Sequence, residues 1–227
     1  MARFSRLDTL VQMRETGMVP VFYNKDLDTC QKVLKACYDG GAKIFEFTNR
    51  GDRAHIVFQD LITWAEKELP DSVLGVGSVV DAPTASIYIQ LGANFIVSPV
   101  LNEDMAKVCN RRKIAWIPGC GSLSEMSRAE ELGAEVVKIF PASQVGGPAF
   151  VKAVLGPCPW SSIMPTGGVA PTEENLQSWF KAGVNCVGMG SQLMIKNEQG
   201  AFDFEAITAK TREALDIIRT IRKVKKG

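Results

Sequence analysis

Histidine is almost missing from this chain: His55 is the only one in 227 residues. The six cysteines, Cys30, Cys37, Cys109, Cys120, Cys158 and Cys186, form no Cys-x-x-Cys pair. Zinc and thiol-redox chemistry therefore lack their usual ligand spacings, and no metal is expected. Scattered cysteines act as small buried hydrophobes and fit a reducing, cytoplasmic setting. MARFSRLDTL lacks the apolar core and cleavage site of a signal peptide, and no apolar run reaches membrane-spanning length. Charge of one sign is also missing. A formal net charge of +1 gives no field to gather nucleic acid or an anionic membrane. The basic residues that do cluster, Arg219, Arg222, Lys223, Lys225 and Lys226, suit a solvated helix end.

What is present is a rhythm. Eight short apolar runs, at 18–24, 43–50, 74–80, 94–100, 114–121, 135–142, 161–168 and 185–191, alternate with segments of helical period. Near-continuous apolar strands indicate a parallel sheet covered on both faces. Between them, DTCQKVLKACYDGGA puts Val33, Leu34, Cys37 and Tyr38 on one side and stops at Gly40-Gly41. SEMSRAEELGA opens on Ser124 as an N-cap, and TEENLQSWFKAGV runs from Thr172 to Gly183. Eight strand–helix units imply an α/β fold, a closed (β/α)8 TIM barrel, with a helix over 3–16 closing its bottom. An open doubly wound sheet competes. It calls for a Gly-x-Gly-x-x-Gly turn after the first strand, and VFYNKDLD has none. With no linker or low-complexity segment, the expectation is one domain over 1–227.

Reactive groups in such a barrel sit at the C-terminal strand ends. There the runs carry Glu46, Thr48 and Arg50; Ser78; Ser98-Pro99; Lys138, Phe140 and Ala142; Thr166-Gly167-Gly168; and Gly188 to Ser191. Alternation places Glu46, Thr48 and Arg50 on one strand face and Lys138 with Phe140 on one face of another. Lysine is rarely buried without compensation. One reading of Lys138 and Glu46 is a fixed buried ion pair. The other is an amine made neutral by apolar surroundings, able to attack a ketone and form an imine, with Glu46 shuttling the protons. The glycines of PTGG and GMGS let backbone amides approach a ligand, as in the phosphate sites of many barrels. SQLMIKNEQG is the candidate for the short helix beside that site.

With these residues in view, the chain resembles the 2-keto-3-deoxy-6-phosphogluconate (KDPG) / 4-hydroxy-2-oxoglutarate (KHG) aldolase family, class I enzymes, over essentially its whole length. VVKIFPA is similar to the family's Lys-Phe-Phe-Pro-Ala stretch, FEFTNRG to Glu-Val-Thr-Leu-Arg-Thr and GVGSV to Gly-Ala-Gly-Thr-Val. The resemblance implies Lys138 as the Schiff-base nucleophile, Glu46 as acid and base, and Arg50 with Ser78 around the substrate carboxylate. It implies Gly167, Gly168, Gly190 and Ser191 around a phosphate, with Thr48, Pro99, Phe140 and Thr166 completing the substrate-binding set. It further implies a homotrimer, a small keto acid as partner and no cofactor. The departures are Asn49 and Gly51 flanking the arginine, Ser78 for Thr, Ser143 for Glu, and, in PVFYNKD, the lack of the basic residue that some relatives carry near the first strand. The implied reaction is cleavage of KDPG, or of 4-hydroxy-2-oxoglutarate, to pyruvate and an aldehyde. An aldolase for an unphosphorylated sugar acid and a non-catalytic sugar-phosphate-binding barrel are the alternatives.

Overall fold

The computed structural model describes residues 2–224. Strands and helices alternate in the order α1 (Arg6–Thr16), β1 (Met18–Phe22), α2 (Leu27–Asp39), β2 (Ile44–Thr48), α3 (Ala54–Glu68) and β3 (Val73–Gly77). The order continues with α4 (Ala82–Gln90), β4 (Phe95–Val97), α5 (Glu103–Arg112), β5 (Ala115–Ile117), β6 (Gly119–Cys120) and α6 (Leu123–Glu131). It ends with β7 (Val137–Ile139), α7 (Gly147–Leu155), β8 (Ile163–Pro165), α8 (Glu173–Ala182), β9 (Val187–Met189) and α9 (Phe204–Val224). All the strand pairings are parallel, in one sheet ordered β5-β4-β3-β2-β1-β9 and another ordered β6-β7-β8.

The eight apolar runs become nine strands among the described residues because the fifth run is interrupted at Pro118. Proline has no N–H to give a ladder, although its carbonyl still accepts from the Lys138 N–H at 2.8 Å. Across the other gap, Thr166, just past β8, makes an isolated parallel bridge to Gly188 of β9.

Both faces of the strands are covered, as their unbroken apolar sequences require. One face packs against the helices in the larger core. The other holds Val19, Ile44, Val73, Phe95, Val97, Ala115, Ile117, Val136, Met164 and Cys186, and among the described residues it receives none from α2–α9. Met13 of α1 joins this inner cluster, with Phe4 and Leu10 packed against it. The N-terminal helix therefore contacts the strands' inner surface, while the later helices contact the outer one.

The helix starts follow their capping residues. Asp26, Asp81, Asn102 and Thr172 each accept a backbone N–H at the start of α2, α4, α5 and α8. For α6 the cap is Ser122, not Ser124. Its Oγ accepts from the Glu125 N–H, and Glu125 Oε2 reaches back to Ser122 Oγ and the Gly121 N–H. Ser-x-x-Glu is a capping box, which Ser124 does not begin.

The basic tail is also less uniformly solvated than expected. Arg222 donates to the carbonyls of Arg14, Glu15 and Asn185, so it closes the C-terminal end of α1. Arg219 pairs with Asp216, and Lys225 and Lys226 lie outside the described residues. Trp179 is buried, Trp64 packs against the core, and Trp160 is exposed. No helix among the described residues is long and apolar enough to cross a membrane.

Candidate active site

The two strands that carry the polar residues are oriented by their neighbours. In β2, Phe45 and Phe47 belong to the helix-side core and Ile44 to the inner cluster. Phe47 packs on Phe58 of α3 with centroids 5.8 Å apart, and Phe58 packs on Tyr88 of α4 at 5.4 Å. Alternation then turns Glu46 and Thr48 inward. In β7, Val137 and Ile139 face the helices and Val136 the inner cluster, so Lys138 and Phe140 also point inward. Glu46 and Lys138 are 1% and 5% exposed.

Room for a carboxyl group comes from β3, whose sequence VLGVG leaves two inward positions bare. Phe95 occupies the space where a side chain at Gly75 would stand, and Glu46 fills the space beside Gly77. A Cβ at Gly77 would land on Glu46 Oε1 and 2.5 Å from its Cδ. We predict that Gly77→Ala lowers kcat by about 10- to 100-fold, within the cost of misplacing a reacting group. Circular dichroism with steady-state kinetics checks this: a folded variant of unchanged kcat would remove Gly77 from the positioning of Glu46.

Burial pushes the Glu46 carboxyl above its ordinary value, with the charges of Lys138 and Arg50 opposing. Burial pulls the Lys138 ammonium below its ordinary value, opposed by Glu46 and reinforced by Arg50. No ion pair joins the two among the described residues, and Glu46 Oε2 is buried without a hydrogen-bond partner. A fixed salt bridge, the bland expectation, is therefore not the arrangement seen. Both groups are biased toward their neutral forms, the direction that favours a nucleophilic amine and a carboxyl able to donate a proton.

A cavity of about 780 Å³ opens above this pair. Of the expected residues, Thr48, Arg50, Phe140, Thr166, Gly167, Gly168, Gly190 and Ser191 line it together. Glu46 and Lys138 are each the next inward residue down a strand from a lining one, Thr48 and Phe140. Lys138 Nζ lies 4.8 Å from the centroid of the Phe140 ring. Arg50 Nε donates to Ser78 Oγ at 3.4 Å. Ser78 sits at φ 58°, left-handed backbone that a non-glycine residue adopts only under constraint. Pro99 does not line the cavity. Its backbone packs on Gly119, the register partner of Lys138, so it supports the strand beside the amine.

At the other end of the cavity Gly167 and Gly168 stand at φ 94° and 79°. The amides of Gly168, Gly190 and Ser191 donate no backbone hydrogen bond among the described residues. Thr48 and Thr166 each bury a hydroxyl with no partner. Residues 191–200 form turns rather than the expected helix, because Lys196 pairs with Phe202 in an antiparallel bridge and Asn197 accepts from Ala201. That fold-back brings Lys196 into the cavity wall. Three contributors escaped the sequence reading: Lys196, Tyr23 and Gly77. Only Gly77 had a visible signal, the every-other-residue glycines of LGVG. A second cavity of about 860 Å³, between α8 and α9, contains none of these residues.

A buried amine and a buried carboxyl, each biased toward its neutral form, lie below a polar-mouthed cavity at the ends of parallel strands, an arrangement suited to imine-forming carbon–carbon lyase chemistry. The family model for KDPG and KHG aldolase matches residues 10–210. A 2-dehydro-3-deoxy-phosphogluconate aldolase from Pseudoalteromonas atlantica is 34% identical over 87% of this chain and 89% of its own length. A KHG/KDPG aldolase from Escherichia coli K12 is 32% identical over 88% and 91%. Among solved structures, a KDPG aldolase from Legionella pneumophila, with pyruvate captured as a covalent carbinolamine, superimposes with a TM-score of 0.80. It is 26% identical, over 91% of this chain and 97% of that one. The chain belongs to the KDPG and KHG aldolase family, and it is an aldehyde-lyase.

Proposed function

We propose that this enzyme reversibly cleaves 2-keto-3-deoxy-6-phosphogluconate into pyruvate and glyceraldehyde 3-phosphate through an imine on Lys138. The observation that carries this reading is the buried, unpaired Lys138–Glu46 couple beneath a cavity lined by both Arg50 and Lys196. Lys138 Nζ attacks C2 of the keto acid while Arg50 and Ser78 hold its carboxylate. Glu46 gives the proton that expels the C2 oxygen as water. It then takes the proton from the C4 hydroxyl as the C3–C4 bond breaks, and the electron pair of that bond moves into the iminium. The resulting enamine is protonated at C3, and water releases pyruvate from Lys138. The amides of Gly168, Gly190 and Ser191, with the Lys196 ammonium in place of a helix dipole, provide for a phosphate. That preference favours the phosphorylated substrate over 4-hydroxy-2-oxoglutarate and over an unphosphorylated sugar acid.

Borohydride added with pyruvate should fix one pyruvate-sized mass on the peptide containing Lys138, in the presence of a chelator as well as in its absence. An active enzyme left unlabelled there would overturn the mechanism.

The reading extends to the frame. The Thr166–Gly188 bridge and the single-residue gap at Pro118 support one closed (β/α)8 ring, with Met13 of α1 plugging its bottom and one domain over 1–227. Ile56, Val80, Val100 and Leu123 are exposed at or near the start of α3 to α6, with Ile87 further along α4, and an apolar surface of this kind supports a homotrimer in the cytoplasm. Light scattering showing only a species of 24.8 kDa would remove the trimer.

A further inference from the structure

Gly51 stands beside Arg50, yet its backbone is not left-handed, so nothing in the chain's own path calls for glycine there. What calls for it is Tyr23. A Cβ at residue 51 would collide with the Tyr23 hydroxyl oxygen and approach its Cζ to 2.9 Å. The phenol occupies the space that a side chain at residue 51 would fill. Its ring is held edge-on against Phe47 with centroids 5.6 Å apart.

The neighbouring Tyr88 hydroxyl, by contrast, is satisfied. The Tyr88 hydroxyl donates to Asn49 Oδ1 at 2.8 Å, and burial, with Tyr23 adding, pushes the Tyr88 phenol up to about 12. The Tyr23 hydroxyl makes no hydrogen bond with any described residue, and Tyr23 lines the cavity together with Thr48 and Arg50. An oriented phenol with a free donor and acceptor, set in a cavity wall, is placed to bind a ligand hydroxyl.

Its place along the cavity says which one. Tyr23 follows β1, and in the sheet β1 lies between β2, whose Arg50 serves the keto-acid end, and β9, whose Gly190 and Ser191 serve the phosphate end. We propose that Tyr23, admitted by Gly51, is a specificity-determining residue that hydrogen-bonds a hydroxyl on the carbon chain of the aldehyde half. This rests on the aldolase reading above and deepens it. The enzyme should prefer substrates with a further hydroxyl on the carbon after C4, as KDPG has at C5 and 4-hydroxy-2-oxoglutarate does not.

The test compares kcat/KM for those two substrates. Tyr23→Phe, which keeps the ring on Phe47, should lower kcat/KM for KDPG about 5- to 10-fold, the usual scale of one hydrogen bond. It should leave 4-hydroxy-2-oxoglutarate within twofold. Gly51→Ala in the wild-type background should displace the phenol and give the same change in the ratio. Added to Tyr23→Phe it should change the ratio no further. Pyruvate trapping on Lys138 should be unaffected in every variant. Equal losses on both substrates, or an unchanged ratio in Tyr23→Phe, would overturn the role of Tyr23. Failure of the wild-type enzyme to trap pyruvate would instead overturn the aldolase reading beneath it.

Discussion

Lys138→Met should abolish turnover and, in the same protein, raise the melting temperature. Loss of the nucleophile leaves only binding and residual electrostatics, so kcat should fall by at least about 10⁴-fold. Borohydride with pyruvate should add no mass. The gain in stability follows from what burial does to the amine. Unfolded, the lysine keeps its proton up to about 10.5; folded, desolvation pulls that value down despite the opposing charge of Glu46. Between the lowered value and 10.5 the unfolded chain binds more protons than the folded one. Stability therefore rises with pH across this window, and below it the full cost of the buried amine is felt. Methionine has similar length and no charge to desolvate. In its presence Glu46 loses a cationic neighbour, which favours its neutral form further. Replacing buried charged groups by apolar ones is often neutral or stabilising. A gain of about 1 kcal/mol raises Tm by roughly 2–4 °C in a chain of this size. Scanning calorimetry from pH 6 to pH 10 should show the higher Tm and a flatter alkaline rise. A variant melting well below the parent would mean that Lys138 holds the fold together rather than straining it.

The same residue shows why much of this protein was legible in its sequence. A lysine between Val137 and Ile139 can satisfy both apolar neighbours only by facing away from them, and period-two alternation decides that direction without coordinates. Glu46 is fixed likewise by Phe45 and Phe47, and the helix caps by Asp26, Asn102 and Thr172. Each of these rests on residues within one element. What could not be read depends on pairs far apart in the chain. Lys196 reaches the cavity because residues 196 and 202 pair across a tight fold-back, where a helical reading of SQLMIKNEQG would have carried it elsewhere. Arg222 caps α1 across more than 200 positions. Gly51 looks like a simple departure from a threonine until Tyr23 is seen in the space it vacates. Ser122 was readable: Ser-x-x-Glu is a local pattern, and Ser124 merely stood closer to the apolar period. Even the split of the fifth strand is local, since Pro118 cannot donate to a ladder wherever it falls.

Glu46→Gln separates the two halves of the couple. Glutamine has the shape of the protonated acid, fits beside Gly77 and keeps a buried polar group, but it neither gives nor takes a proton. Carbinolamine dehydration and C4 deprotonation should both slow, and kcat should fall by about 10²- to 10⁴-fold. KM should change far less, because Arg50, Ser78 and the glycine turns are untouched. The pH profile should change shape as well. In the proposed mechanism Lys138 must lose its proton while Glu46 keeps one, so the active form has a single proton on the couple and kcat/KM should be bell-shaped. The acidic limb reports proton loss to free the amine, and the alkaline limb reports loss of the carboxyl proton. Glu46→Gln should keep the acidic limb and lose the alkaline one. Glutamine matches the protonated acid in charge, so the acidic limb, which reports the amine while Glu46 keeps its proton, should stay close to its position in the parent. Stability carries the complementary sign. A carboxyl whose folded value is raised costs more as pH climbs above 4.5 through that raised value, because there the folded chain holds the extra proton. Removing it should flatten the loss of stability in that range. Slow but complete pyruvate trapping in Glu46→Gln, against none in Lys138→Met, would assign the covalent bond to one residue and the proton traffic to the other. A bell-shaped profile surviving in Glu46→Gln would assign that traffic to a different group.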